Sequence, residues 1–232
     1  SEIGNSNVED CSVGILAFDG LNATTDIHNN TFDNNPTALV SFCNANTIGT
    51  IYDNEFTQNK NEVLLFGNGG KNEWATQYNV FDTHETLSSL TATITYNNIN
   101  SGRIFKNNIL SRDKRAINVT SGIFNTVVRN IMVDDLANSS ELAISVQNSD
   151  LNLIKCNEIY DFQEGLRIRG NCTGTDVIGN ELNADNGLQY GLPTQGFANT
   201  GEQVRNGNKF LMSTASTPRA FNYSMSNVAF NN

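Results

Sequence analysis

Apolar residues along this chain come in short alternating runs, and most runs lead at a fixed offset to an asparagine followed by one more apolar residue. The stretch Ile48 to Gly70 contains the pattern once. Ile51 leads to Asn54-Glu55-Phe56, a polar corner spans Thr57 to Asn61, a second run is Val63-Leu64-Leu65-Phe66, and the exit is rich in Gly and Asn. Period-2 alternation over so few residues predicts short β-strands with one face buried. Neither run can bury a core alone, so such a unit is stable only against copies of itself.

The copies are present. The pattern recurs at Ile27..Asn30-Thr31-Phe32, Asn79-Val80-Phe81, Ile94..Asn97-Asn98-Ile99, Ile104..Asn107-Asn108-Ile109 and Val127..Asn130-Ile131-Met132. It continues at Ile154..Asn157-Glu158-Ile159, Val177..Asn180-Glu181-Leu182 and Asn208-Lys209-Phe210. Most steps between these asparagines are 23 to 28 residues; only Asn79 to Asn107 breaks the period, with steps of 18 and 10 that suggest a shortened or distorted coil of unfixed register. A second column follows the first, for example Ala38-Leu39-Val40-Ser41, Glu62-Val63-Leu64-Leu65, Ala116-Ile117-Asn118-Val119, Ala143-Ile144-Ser145-Val146 and Gly165-Leu166-Arg167-Ile168. Residues two apart share a strand face, so Ile117/Val119, Ile144/Val146 and Leu166/Ile168 are expected inside and Asn118, Ser145 and Arg167 outside. Two strands per coil, repeated, predict a solenoid.

The Asn-x-Phe/Ile corner followed by a Gly-apolar-x-apolar strand resembles the right-handed parallel β-helix repeat of pectate-lyase-like proteins. It also looks like the Asn-rich stretches of exported bacterial cell-surface and adhesin-type proteins. The resemblance implies an all-β, single-stranded right-handed parallel β-helix of roughly eight to nine coils, one repeat domain over 1–232, with corner asparagines stacked as an amide ladder. Asn suits that role because it tolerates a left-handed corner and its amide both donates and accepts. The chain opens directly into a coil at Val13-Gly14-Ile15 and closes in another at Asn227-Val228-Ala229-Phe230. Solenoids need capped ends, so N- and C-terminal parts of a longer chain are expected to be missing, unless polar ends such as Ser1 to Asp10 serve as minimal caps.

Composition narrows the partners. A net charge of −10 without any Lys/Arg run argues against nucleic acid, whose phosphates would be repelled. Nothing approaches the ~20 apolar residues of a membrane span, and Ser1 to Cys11 lacks the basic, apolar, small-residue order of a signal peptide. The acidic, Lys-poor surface rich in Asn, Ser and Thr points to an extracellular or cell-surface setting. The four cysteines form no CxxC or Cys/His spacing. Buried thiols are the default, with a Cys156–Cys172 disulfide open if the turn at Asn171 folds back. Sequons such as Asn22, Asn118 and Asn171 arise readily in so Asn-rich a chain. Neither a metal nor a cofactor is expected, because Asp and Glu are scattered and the Gly-Gly-x-Gly-x-Asp calcium repeat is missing.

Four groups of residues could carry chemistry. In the early coils the outward positions of the second column are Leu16/Phe18, Val40/Phe42 and Leu64/Phe66, whereas later they become Asn118/Thr120, Ser145/Gln147 and Arg167/Arg169. Phe18, Phe42 and Phe66 should therefore form an aromatic column suited to a missing part of the chain, a protein or polysaccharide partner, or, if the register is wrong, the core. Asp134-Asp135 with Arg167 and Arg169 resemble the acid pair of polygalacturonase-type hydrolases, but the Asn-Thr-Asp and Gly-His-Gly motifs are absent and His28 and His84 lie far upstream. Lys155, Arg129, Arg167 and Arg169 in neighbouring coils could supply a lyase base, though solvated strand positions explain them as well. Finally, the insertion Gly67 to Trp74 holds the only tryptophan, either a sugar-stacking surface or a ring tucked over the coil edge. The function expected is a non-catalytic rigid scaffold or adhesin segment with Phe18, Phe42, Phe66 and Trp74 as binding residues. The alternative is a polysaccharide lyase or glycoside hydrolase of pectate-lyase-like fold.

Overall fold

The structure is a computed structural model and describes residues 1–83, 92–111, 115–134, 141–191, 198–199, 207–211 and 220–222. Asp135, His84 and the run Asn227 to Phe230 lie outside them. Among the described residues every regular element is a β-strand, and all strand pairings are parallel. The chain is a parallel β-solenoid of about seven turns.

Each full coil carries three strands, one more than the alternation alone separates. The first column, Glu2–Gly4, Thr24–His28, Thr47–Tyr52, Asn72–Gln77, Arg103–Phe105, Thr126–Val128, Leu153–Lys155 and Asp176–Ile178, is an eight-stranded sheet. The second is a set of short strands directly after the asparagine: Asn7–Glu9, Thr31–Asp33, Glu55–Thr57, Val80–Asp82, Asn108–Ser111, Ile131–Asp134 and Lys209–Phe210. The third is Ile15–Asp19, Leu39–Cys43, Val63–Gly67, Ala92–Asn97, Arg115–Thr120, Leu142–Gln147 and Ala220–Asn222. In two late coils the second and third columns merge into the long strands Glu158–Asn171 and Glu181–Tyr190. The run read as one strand through Ile51 to Phe56 is thus two strands joined by a corner at Asp53-Asn54.

That corner is built from stacked side-chain amides. Asn30, Asn54, Asn79, Asn107, Asn130, Asn157, Asn180 and Asn208 are linked in order, each Nδ2 donating to the next Oδ1 at 2.9–3.0 Å over sequence steps of 23 to 28 residues. The same Oδ1 accepts the backbone N–H of the preceding asparagine at 2.9–3.1 Å. The second Nδ2 proton goes to a carbonyl one coil back, as from Asn130 to Ile104 at 3.0 Å and from Asn157 to Val127 at 2.8 Å. Except in the terminal Asn208, both amide protons and the oxygen are thereby satisfied in residues that are almost wholly buried. Shorter ladders hold two other corners, Asn35–Asn59 and Asn125–Asn152–Thr175.

Two expectations are corrected here. Asn79 bonds directly to Asn107, so that coil is long rather than shortened. Asn97 instead ends a third-column strand, aligned with Phe66 and Thr120. Removing that false corner brings the count from eight or nine coils to about seven. The left-handed residue of the corner is not the ladder asparagine but the one before it. Asn29, Asp53, Tyr78, Lys106, Arg129, Cys156, Gly179 and Gly207 have φ between 53° and 63°. Five of these are neither Gly nor Asn, so the corner holds them against a backbone preference worth about 1–2 kcal/mol each.

The interior is filled by like residues stacked on like. Phe32, Phe56 and Phe81 lie in register with ring centroids 4.8 and 4.7 Å apart, and the same position continues as Ile109, Met132 and Ile159. Trp74 is buried in the first column above Gly49, where an added Cβ would lie 2.5 Å from the indole. All four cysteines are free, Cys11 and Cys156 exposed and Cys43 and Cys172 buried, so no Cys156–Cys172 bond forms. Burial pushes the Cys43 thiol up to about 12 and the Cys172 thiol up to about 11.

Two outcomes follow from this architecture. Asn130→Ala strips the acceptor from two buried donors of Asn107 and is expected to destabilise by at least about 2 kcal/mol, whereas Arg129→Gly relieves the left-handed corner and is expected to be neutral or stabilising by up to about 1 kcal/mol. Denaturant unfolding of the two variants checks the contrast. With iodoacetamide at mildly alkaline pH, mass spectrometry should find Cys11 and Cys156 alkylated in the folded protein. Cys43 and Cys172, with raised thiol pKa and no access, should react only after unfolding.

Candidate functional site

The outer face of the third column carries the chemistry with the least structural explanation. Ile15, Leu39, Val63, Ile94, Ile117, Ile144 and Leu166 occupy one register position and Ala17, Ser41, Leu65, Tyr96, Val119, Val146 and Ile168 the position two residues on, both directed inward. The residues between and after them must face out. Phe18, Phe42 and Phe66 are therefore neighbours on adjacent strands. Their rings stack with centroids 5.2 and 5.5 Å apart and planes within 10° and 19° of parallel.

Exposure falls along that column. Phe18 is 73% exposed, Phe42 is 43% exposed and Phe66 is half-buried; Leu16, at 53%, with half-buried Val40 and Leu64, extends the apolar surface by a second row. A contiguous apolar patch on a sheet face differs from the scattered exposed residues every protein has. Beyond Phe66 the same row turns polar through Asn97, Thr120, Gln147 and Arg169, and the row beside it through Thr95, Asn118, Ser145 and Arg167.

The other expected site residues are dispersed. Trp74, expected on a binding surface, is 1% exposed and takes no part in this face, because Gly49 leaves room for its ring inside the coil. Asp134 shares the inward parity of Met132 and is buried, away from the outward face that holds Arg167 and Arg169. Arg129 occupies an exposed corner and Lys155 an exposed first-column strand, so neither joins the two arginines.

One residue missing from the sequence-based set does join them. Arg115 begins its third-column strand, aligned through Leu142 with Glu164 two strands away, and it feels the charges of both Arg167 and Arg169. Its burial and these two neighbours hold its pKa below the usual arginine value; burial and then Arg167 do the same for Arg169. Arg167 donates through both Nε and Nη2 to the Glu164 carboxylate, and Arg169 donates through Nη2 to the Gln147 amide oxygen. The sequence alone does not reveal this grouping, since Arg115 lies far from the others along the chain.

Among the described residues, no group of His, Cys, Asp and Glu has the geometry to hold a metal ion, and no helix is long and apolar enough to cross a membrane. Comparison of the chain with protein families, with curated proteins and with solved structures returns no match.

The two phenylalanine stacks give a direct check of this register. Phe42→Ser, on the outer stack, should change stability by less than about 1 kcal/mol, whereas Phe56→Ala, on the inner stack, should cost about 3–5 kcal/mol. Chemical denaturation of both variants reads the difference; equal costs would contradict the assignment of faces.

Proposed function

We propose that this chain is a non-catalytic, rigid β-solenoid segment of an extracellular or cell-surface protein, and that its third-column face binds a protein or glycan partner. The observation that carries this reading is the outward column Phe18-Phe42-Phe66, a flat stacked surface with no structural use inside the coil. Aromatic faces suit both sugar rings and apolar protein side chains. Covering an exposed phenyl ring is worth up to about 1.5–3 kcal/mol, roughly one to two decades in affinity per ring. The acidic, Lys-poor composition and the resemblance to Asn-rich exported β-helix proteins support the setting, and the same resemblance makes an adhesin-like role the natural one.

The competing reading, a polysaccharide lyase or hydrolase of pectate-lyase-like fold, needs carboxylates open to a substrate. Asp134 is buried at inward parity, which weighs against the acid pair suggested by the sequence.

The test is incubation with neutral and acidic polysaccharides, following both retention and chain cleavage. The account expects retention of at least one neutral polymer without cleavage, lost when Phe18, Phe42 and Phe66 are together replaced by Ser, or retention of no neutral polymer and a protein partner at the same face. Cleavage overturns the non-catalytic reading, and retention of a neutral polymer that is indifferent to the triple replacement overturns the role of the aromatic column.

A further inference from the structure

We infer that Arg115, Arg167 and Arg169 form a binding site for an oxyanion group, a carboxylate or a sulfate carried on a larger ligand, with Arg167 and Arg169 on the outer face of the third column and Arg115 at the start of a strand two away. The site is independent of the phenyl column. From the strand of Phe66 the sheet crosses two strand spacings to that of Arg115 and four to that of Arg167 and Arg169, about 10 and 19 Å at about 4.8 Å each.

The chain has 24 acidic and 14 basic residues, so a cluster of three cations opposes the general field of the protein. Burial, and after it the neighbouring arginine charges, lower the pKa of Arg115 and Arg169, so their mutual repulsion is a cost; a guanidinium nevertheless stays a cation in a protein. Internal partners offset the repulsion only in part. Glu164 engages Arg167 through both its oxygens, and Glu141 attracts Arg115. Arg169 has only the neutral Gln147 amide at 2.5 Å, its Nε is buried without an acceptor among the described residues, and Arg115 forms no hydrogen bond or ion pair among them.

Each guanidinium carries five donors in a planar fork, so most of the donors on Arg115 and Arg169 are unspent. A carboxylate or sulfate oxygen pair matches that fork, and its charge would relieve the repulsion among the three cations. Rigid strands hold the group in place, with Asn118, Thr120 and Gln147 beside it as neutral polar partners.

The experiment measures retention of the full chain on beads of dextran sulfate, carboxymethyl-dextran and unmodified dextran. Retention is expected on at least one charged polymer and not on the uncharged one, and the polymer that retains identifies sulfate or carboxylate as the group read. Arg115→Gln and Arg169→Gln should each weaken it about tenfold or more, as expected for loss of charge-assisted hydrogen bonds. Lys155→Gln, an equal charge change on another face, should leave it unchanged, and thermal unfolding of every variant should match the parent. Should an Arg→Gln variant misfold, Arg169→Lys keeps the charge and removes the fork, and weakened retention is again expected. The inference fails if neither charged polymer retains the chain, if the arginine variants bind like the parent, or if Lys155→Gln weakens binding as much as they do.

Discussion

The asparagine ladder is the constraint on which the other features depend. A buried side-chain amide is costly unless both donors and the acceptor are met, and here each is met by the coil before or after it. The geometry recurs only if successive coils return to the same point in the same orientation. It says nothing about the path between returns, which is why steps of 23 and 28 residues coexist in one ladder without a break. Extra length is taken up away from this corner, so the strands on either side of it stay in register.

Fixed register then decides what meets what. A residue's neighbour above and below is its counterpart one coil away, so identical side chains stack: phenyl on phenyl inside at Phe32, Phe56 and Phe81, and phenyl on phenyl outside at Phe18, Phe42 and Phe66. Parity along the strand separates the two stacks, and burial gives them opposite meanings. The inner stack stabilises the fold. The outer one remains available to a partner. The same parity turns Arg167 and Arg169 outward further along the column, so a single face presents apolar rings toward one end and cations toward the other.

Much of this was legible from the residues. The ladder asparagines, the inward pairs such as Ile144/Val146 and the outward phenylalanines all follow from period and parity, because side-chain direction alternates along an extended strand, although Ser145, expected outside, is itself buried. What escaped was whatever depends on a neighbouring coil. Asn97 has the local appearance of a corner and is excluded only by the pairing of its strand with Val63–Gly67. Trp74 looked like a surface group because its insertion is polar and Gly-rich, while the room for its ring is made by Gly49 in the coil before. The left-handed position fell on Tyr78, Lys106 and Arg129, residue types with no preference for it, because the ladder beside them supplies the compensating bonds. Arg115 starts a strand two away from that of Arg167 and Arg169, a proximity that sequence distance conceals.

The central claim is that the side-chain amides themselves, and not only the backbone sheets, tie coil to coil. Hydrogen exchange of the asparagine Nδ2 protons by NMR tests it most directly, since a side-chain amide on a surface exchanges quickly and one bonded inside a cooperative core does not. The account predicts that the Nδ2 protons of Asn54, Asn79, Asn107, Asn130 and Asn157 are protected as strongly as the backbone amides of the strands they join. Nδ2 protons that exchange as fast as those of the exposed Asn29 would contradict it.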